Sequence, residues 1–157
     1  MYTFKGSYVA LVTPFNEDGS VNFDKLKELV QWHLQEGTDG IVALGTTGES
    51  STMSHEEDDE VARCVIETVN GRIPVICGAG SNSTQTQLEK SRKYHDMGAD
   101  GLLLITPYYN KANDEGMYRH FAAVADTVDM PIILYNVPGR TGCSISPACC
   151  ARLAKHP

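Results

Sequence analysis

The stretch GIVALGTTGES at residues 40–50 contains a short apolar run that ends in a loop of glycines and hydroxyl residues. Four more apolar runs of this kind occur along the chain. Continuous apolar runs rich in β-branched residues predict strands buried on both faces, which is typical of parallel sheets. The five runs are YVALVT (8–13), GIVALG (40–45), PVICG (74–78), GLLLIT (101–106) and PIILYN (131–136).

The segments between the runs carry the spacing of amphipathic helices. The first has an apolar stripe from Phe23 to Leu34. The second begins with the capping box Ser54-His-Glu-Glu57, and the fifth begins with Ser146-Pro147, a cap followed by proline at the first helical position. We therefore predict five βα units in succession and an α/β fold with a parallel sheet. An open doubly wound sheet and a (β/α)₈ barrel both satisfy this pattern.

The loop after the first run weakens one of these two options. It reads LVTPFNEDG at residues 11–19 and contains neither a P-loop nor a G-x-G-x-x-G sequence. Those glycine patterns hold phosphates in doubly wound nucleotide-binding sheets. The sequence thus disfavours nucleotide binding without deciding between the two architectures.

Length, charge and hydropathy limit the classes of partner. The chain has 157 residues and a net charge of −7, which indicates one domain that is not built to bind nucleic acid or an anionic membrane. No apolar run approaches the roughly 20 residues of a membrane helix, and the first residues lack a signal-peptide pattern. We expect a soluble, cytoplasmic protein.

Cysteine and histidine usage predicts neither disulfides nor a metal site. The number of cysteines is odd, no C-x-x-C occurs, and the five histidines share no ligand spacing. We expect reduced thiols, no bound metal and no cofactor. The cysteines are Cys64, Cys77, Cys143, Cys149 and Cys150.

Polar residues follow the predicted strands, at the end of a parallel sheet where functional groups gather. Thr46 and Thr47 lie between glycines, which suits a small carboxylate or phosphate. Tyr109 follows the fourth run, Tyr135 lies at the end of the fifth, and a Pro-Gly turn is expected to return Arg140 to the rim. Each feature alone also has a purely structural explanation: the threonines as helix or turn caps, the tyrosines as half-buried rings with the hydroxyl in water, and the arginine as a surface charge. Together, the hydroxyls can transfer a proton, and the arginine guanidinium can bind a carboxylate through two hydrogen bonds.

Four motifs resemble those of the dihydrodipicolinate synthase family. They are VALVTPF (9–15), GTTGES (45–50), TPYYN (106–110) and ILYNVPGRTG (133–142), and the resemblance extends along essentially the whole chain. GTTGE or YNVP alone would indicate only the wider group of pyruvate-dependent class I aldolases and lyases, which includes N-acetylneuraminate lyase. The arginine of VPGRTG favours the synthases, since neuraminate lyases lack it.

This resemblance implies a TIM (β/α)₈ barrel, of which the chain supplies about the first five βα units. It also implies a lyase that joins pyruvate, as a Schiff-base enamine, to aspartate semialdehyde in lysine (diaminopimelate) biosynthesis. Tyr135 would be the proton donor and acceptor, and Thr46 and Tyr109 would complete a relay, with Tyr109 reaching a neighbouring subunit. Thr47 would hold the pyruvate carboxylate, and Arg140 would hold that of the second substrate. A homotetramer is the assembly implied.

Some members of the family are inhibited by lysine. In this chain, Asp58 stands where inhibited forms often have a basic residue, and Thr86 stands where they have a glutamate. A missing acid removes a partner for an ammonium group, so we expect weak lysine inhibition or none. The corresponding region contains Ser50, Ser51, His55, Asn82 and Tyr108.

The family's Schiff-base lysine lies on the sixth strand, which would follow residue 157. We therefore expect residues 1–157 to form a single incomplete barrel domain with two exposed sheet edges and no competent nucleophile. Lys111 is the only lysine predicted in a loop on the active face, and nothing around it indicates a desolvated or cation-rich setting that would lower its pKa. The chain alone is expected to be inactive.

Two alternatives remain. The complete protein could be another pyruvate-dependent aldolase that acts on a sugar acid. The chain could instead be a non-catalytic half-barrel that binds a carboxylate or assembles with a partner that supplies the missing strands.

Overall fold

The computed structural model describes residues 4–156 and contains one sheet of five parallel strands in sequence order. Each strand pairs with the next along the chain, and the order does not reverse anywhere. A doubly wound sheet reverses its order at a switch point, so this winding is that of a barrel. The strands are β1 (Tyr8–Ala10), β2 (Gly40–Ala43), β3 (Val75–Gly78), β4 (Gly101–Ile105) and β5 (Ile132–Tyr135).

Helices connect the strands as the sequence predicts. Ser54 and Glu57 make both hydrogen bonds of the capping box, and the Ser146 hydroxyl accepts a bond from the Cys149 N–H. A single 3₁₀ turn covers Ser50–Thr52. The helices are α1 (Phe23–Gln35), α2 (His55–Val69), α3 (Thr84–Met97), α4 (Asp114–Ala125), α5 (Pro138–Thr141) and α6 (Pro147–Leu153). None of the helices within residues 4–156 is long and apolar enough to cross a membrane.

Alternate residues of each strand face opposite sides of the sheet, and this decides what each side chain contacts. On β4, Leu102 and Leu104 are fully buried in the core with helix residues such as Phe121 of α4. Leu103 and Ile105 face the other side, where they line a cavity. The main core therefore lies between the sheet and the helices, and the inner face of the sheet surrounds the cavity.

The two outer strands differ from the prediction that every strand is buried on both faces. β2 and β3 are mostly buried, but β1 and β5 are only partly buried, because no strand in the described part of the chain pairs with their outer edges. β1 is also shorter than its apolar run. The Leu11 N–H still donates to the Val42 carbonyl at 2.9 Å, but Val12 is 50% exposed.

The Pro138-Gly139 segment is not the simple turn expected from the sequence. Pro138 begins the one-turn helix α5, and the Val137 carbonyl accepts bonds from the N–H groups of Arg140 and Thr141. Proline suits this first helical position because its missing N–H would have no partner there. Arg140 therefore lies on a helical turn, which fixes its backbone more firmly than an open loop would.

Candidate active site

A cavity of about 540 Å³, called here the site cavity, opens at the carboxyl ends of the strands. Thr46 lines it after β2, Tyr135 lines it at the end of β5, and Arg140 lines it from α5. Their side chains come from three separate elements of the fold. The structure thus brings together three of the five residues to which the sequence assigns catalytic or substrate-binding roles.

Strand alternation explains why Tyr135 lies in the site cavity. Ile132 and Leu134 of β5 face the helices, so Tyr135 faces the inner side of the sheet. Its backbone carbonyl accepts a hydrogen bond from the Thr106 N–H at 3.0 Å, which fixes the end of β5 against β4. The phenol is held by a paired strand rather than by a loop, which suits a group that must be placed accurately.

The loop after β2 is held by close backbone packing. The Thr13 hydroxyl donates to the Gly48 carbonyl at 2.7 Å, and the Gly48 N–H donates to the Gly45 carbonyl at 3.0 Å. A Cβ on Gly48 would lie 3.0 Å from the Leu11 carbonyl oxygen, so a larger residue would require the backbone here to shift. Thr47, between these glycines, is exposed and does not line the site cavity.

Tyr109 also lies outside the site cavity. It is 87% exposed, with a left-handed backbone (φ 69°), and it projects from the loop after β4. Its neighbour Tyr108 does line the cavity. The two adjacent rings therefore point in different directions: Tyr108 faces the cavity and Tyr109 faces outward.

Thr141 was not predicted, and it ties the loops around the cavity together. It is 3% exposed, and its carbonyl accepts a bond from the Tyr109 N–H at 3.1 Å. Its hydroxyl donates to the Cys143 carbonyl at 2.9 Å and accepts a longer bond of 3.4 Å from the Thr106 hydroxyl. Thr141 thus connects the α5 turn that carries Arg140 to the loop after β4. Its position directly after Arg140 was the available signal in the sequence.

Most of the region predicted to concern lysine binding lines the same cavity. Four of its five residues line the cavity, and Asn82 does not. The Asn82 carbonyl instead accepts a bond from the Asn110 side-chain amide at 2.9 Å, so it connects two loops. The four lining residues are Ser50, Ser51, His55 and Tyr108.

An ion pair between Asp58 of α2 and Lys90 of α3 also lines the cavity. Burial raises the pKa of the Asp58 carboxyl, and the nearby Lys90 charge partly opposes this. The sequence indicated Asp58 and Thr86 but missed Lys90. Lys90 lies four residues after Thr86 on α3, so the two residues share a face of that helix. This spacing was the signal that could have indicated Lys90.

Neither lysine near the site has the setting of a nucleophile. Lys111 lies in the loop after β4, is exposed and does not line the cavity. Lys90 lines the cavity, but its ammonium group is paired with Asp58. Within residues 4–156, no group of three or more His, Cys, Asp and Glu side chains could hold a metal ion.

Comparison with known proteins places the chain in a family. The model of the dihydrodipicolinate synthetase family matches residues 3–157. The chain belongs to the dihydrodipicolinate synthetase family. It is 58% identical over 153 residues to the 4-hydroxy-tetrahydrodipicolinate synthase of Geobacter metallireducens, a match that covers 98% of this chain and 52% of that protein. A synthase of the same name from Thermoanaerobacter is 54% identical over 156 residues, covering 99% of this chain and 52% of the relative.

Solved structures of the family have the same fold. The chloride-inhibited dihydrodipicolinate synthase of Acinetobacter baumannii, complexed with pyruvate, superposes with a TM-score of 0.96 at 51% identity, covering 99% of this chain and 53% of that one. The enzyme of Cyanidioschyzon merolae with lysine bound gives a TM-score of 0.93 at 41% identity, covering 97% and 52%. The chain therefore spans about half the length of the relatives it matches, and its five-stranded sheet corresponds to part of their TIM barrel.

Proposed function

We propose that this chain supplies the N-terminal half of the catalytic framework of a 4-hydroxy-tetrahydrodipicolinate synthase. Such an enzyme condenses pyruvate with aspartate semialdehyde through a Schiff-base enamine in lysine biosynthesis. One observation carries the proposal: Thr46, Tyr135 and Arg140 line a single cavity at the carboxyl ends of the strands. The family membership and the names of relatives at more than half identity support it.

In this proposal Tyr135 exchanges protons with the reacting atoms. Forming an imine from a ketone and an amine, and then an enamine, requires several proton transfers, and a positioned phenol can donate and accept them. Thr46 lines the same cavity and passes the proton on. Arg140 lies at the rim on a fixed helical turn, where its guanidinium can hold the carboxylate of the second substrate with two parallel hydrogen bonds.

Neither Thr47 nor Tyr109 lines the cavity of this single chain. Thr47 directly follows Thr46, which lines the cavity, in a glycine-flanked loop of the kind that suits a carboxylate, and we assign it the carboxylate of pyruvate. Tyr109 projects outward, and we assign it to the proton relay of a neighbouring subunit in a homo-oligomer, with a tetramer as the assembly. A ring that is 87% exposed, on a backbone fixed to Thr141, fits a group that completes a partner's site.

Regulation by lysine is weak or absent in this proposal. An amino acid bound between Ser51, His55 and Tyr108 would need an acid for its ammonium group. Asp58 is the acid among the residues that line the cavity, and Lys90 of the same chain already pairs with it. The unpaired state of all five cysteines fits a protein that works in the reducing cytoplasm.

A covalent chimaera tests this function. Residues 1–157 are joined to the remaining C-terminal part of the Geobacter metallireducens relative, and turnover is measured with pyruvate and aspartate semialdehyde or with a sugar acid. We expect condensation with aspartate semialdehyde alone, and a raised KM for this substrate in the Arg140→Ala variant. Turnover of the sugar acid alone would identify a different aldolase, and an Arg140→Ala variant with an unchanged KM would remove Arg140 from substrate binding.

A further inference from the structure

His120 of α4 is a buried histidine that the proposed function does not use. It is 6% exposed, and its ring lies edge-on against that of Phe121, with the centres 5.4 Å apart. Its Nδ1 lies 2.7 Å from the hydroxyl of Thr84, the first residue of α3. Its Nε2 is buried too and has no hydrogen-bond partner among the described residues. A neutral ring fits this setting, because a charged ring would bury an N–H group without an acceptor.

The start of α3 is an unfavourable neighbour for a positive charge. Ser83 caps this helix, and its first turn contains no acidic residue, whereas the first turns of α2 and α4 both contain acids. The N-terminus of a helix carries a partial positive charge, so it repels an imidazolium ring beside Thr84. Burial lowers the pKa of His120, and the backbone of Ser81 opposes this only in part.

The charged side chains of α3 and α4 are engaged away from His120. Glu115 pairs with Arg119 of its own helix and with Arg152 of α6, at the surface. Lys90 and Lys93 pair with acids of α2. The segment between β3 and α3 contributes only uncharged residues. The other titratable side chains of the two helices are bonded to other groups, buried against α2 or exposed, and they are Glu89, Arg92, Tyr94, His95, Asp96, Asp114 and Tyr118.

His120 also holds part of the site cavity in place. Residues 80–84, called here the wall segment, lead from β3 into α3, and Gly80 and Ser81 line the cavity. The fully buried Gln87 accepts a bond from the Ser81 N–H at 3.4 Å and donates to the His120 carbonyl at 3.2 Å. The ring of His120 contacts one end of the wall segment, and its backbone is joined through Gln87 to the other.

We propose that His120 is an acid-sensitive switch, and that its protonation in mild acid separates the start of α3 from α4 and loosens the wall segment of the site cavity. The proton comes from solvent and binds the ring nitrogen that carries none in the neutral form. The charged ring is hydrated only when the start of α3 moves away, so the open state binds the proton more tightly than the closed state does.

The direction of the pH dependence follows from this difference. In the open state the ring has an ordinary pKa of about 6.5, and in the closed state burial lowers it. The contribution of His120 to the closed state is therefore complete above about pH 6.5 and is lost as the pH falls through the lowered pKa. The wall segment should be closed at neutral pH and should open more often in acid.

Amide hydrogen exchange of the unmodified 157-residue chain tests the switch. Exchange is measured between about pH 7.5 and about pH 5 and is corrected for the intrinsic rate at each pH. An open state with a pKa of about 6.5 can gain at most about 30-fold over this range. We expect protection of the Ser81 and Gln87 amides to fall by about tenfold or more in acid. The Lys25 and Leu26 amides, in the capped first turn of α1, are the internal control and should keep their protection.

Two histidine variants assign the effect. His120→Asn places an amide near the position of Nδ1, so it can still bond Thr84 but does not titrate, and the loss of protection in acid should vanish. His95→Asn is the matched control. His95 is an exposed histidine of α3 that bonds Asp96, and its replacement should leave the loss unchanged.

An NMR titration of the His120 ring gives a readout that needs no variant. Its midpoint should lie at lower pH in the folded chain than in the same chain unfolded in urea. Equal midpoints, unchanged protection of Ser81 and Gln87, an equal loss in α1, or a loss that persists in His120→Asn would overturn the proposal. This inference rests on the fold and the site cavity and not on the proposed function, so the activity of the chimaera does not bear on it.

Discussion

Lys90 and Asp58 form an ion pair between α3 and α2 in which the Asp58 side chain is fully buried and that of Lys90 is 13% exposed. The second oxygen of Asp58 has no hydrogen-bond partner. Within the described residues, three of the other four buried polar side-chain atoms without a partner lie in the same helix interface, namely Asp59 Oδ1, Ser91 Oγ and Tyr94 Oη. Because the polar groups of this interface are incompletely satisfied, its stability depends strongly on the Lys90 charge.

Replacing Lys90 should destabilise the chain much more than replacing Lys93. Lys90→Met leaves the buried Asp58 charge unpaired, and we expect a loss of about 3 kcal/mol in the free energy of unfolding. Lys93→Met is the matched control. Lys93 lies on α3, as Lys90 does, and pairs with Asp59 of α2, but its side chain is 53% exposed. Replacing it should therefore lower the free energy of unfolding by less than about 1 kcal/mol. Urea denaturation of both variants measures the difference, and equal losses would contradict this account.

The stability deficit of Lys90→Met should grow as the pH rises. Burial raises the pKa of Asp58, so the folded chain keeps a proton on this group at pH values where the unfolded chain, with a pKa of about 3.9, has released it. This group's contribution to stability is therefore greatest in acid and decreases as the pH rises through the raised pKa. Without Lys90 the pKa rises further, which extends that decrease to higher pH.

Urea titrations between acid and neutral pH check this dependence. The double variant Asp58→Asn/Lys90→Met lacks the titrating carboxyl, so the pH-dependent part of the deficit should vanish in it. A deficit that stays constant with pH, or that persists with the same slope in the double variant, would rule out Asp58 as its source.

The hydrogen bonds of the Thr141 hydroxyl should position Arg140, and the hydroxyl itself should take no part in the reaction. In the covalent chimaera, Thr141→Val removes the bonds to Cys143 and Thr106 and leaves buried polar groups unsatisfied. We expect a loss of about 1–2 kcal/mol in stability and a rise in KM for aspartate semialdehyde on the order of tenfold. Thr141→Ser keeps the hydroxyl and should restore the KM. A serine variant as impaired as the valine variant would show that volume, and not hydrogen bonding, is decisive.

Removing the Tyr135 hydroxyl should lower the rate of the chimaera without abolishing substrate binding. Tyr135→Phe keeps the ring on the inner face of β5 but cannot transfer a proton. We expect kcat to fall by about 10²- to 10⁴-fold with little change in KM for pyruvate. Steady-state kinetics measures this, with Tyr108→Phe, at another tyrosine that lines the cavity, as control. Equal effects of the two substitutions would mean that Tyr135 has no special role in proton transfer.

The fold could be predicted from local patterns because each βα unit carries its own signals. The apolar runs, the Ser54 capping box and the Ser146-Pro147 start all lie where the structure has strands and helix ends. The extent of β1 and the partial burial of β5 could not be predicted from the runs. They depend on which neighbours a strand has, and an apolar run such as YVALVT looks the same in a central strand and in an edge strand.

The candidate site could be predicted only in part. Strand ends indicated Thr46, Tyr135 and Arg140, which line one cavity. The motifs could not indicate that Thr47 and Tyr109 lie outside it, because this depends on the path of each loop. Lys90 was missed because its importance comes from Asp58, 32 residues earlier, and contacts between different helices leave little trace in local sequence. The catalytic and binding roles of all these residues stay predictions.

Borohydride trapping with pyruvate, read by intact mass, tests the central claim most directly. The 157-residue chain is treated beside the covalent chimaera that adds the C-terminal part of the Geobacter metallireducens relative. We predict a reduced pyruvate adduct on the chimaera alone, at a lysine beyond residue 157. Neither lysine near the site cavity in this chain should react, because Lys111 is exposed and Lys90 is paired with Asp58. An adduct on the 157-residue chain, located at Lys111 or Lys90, would contradict the account.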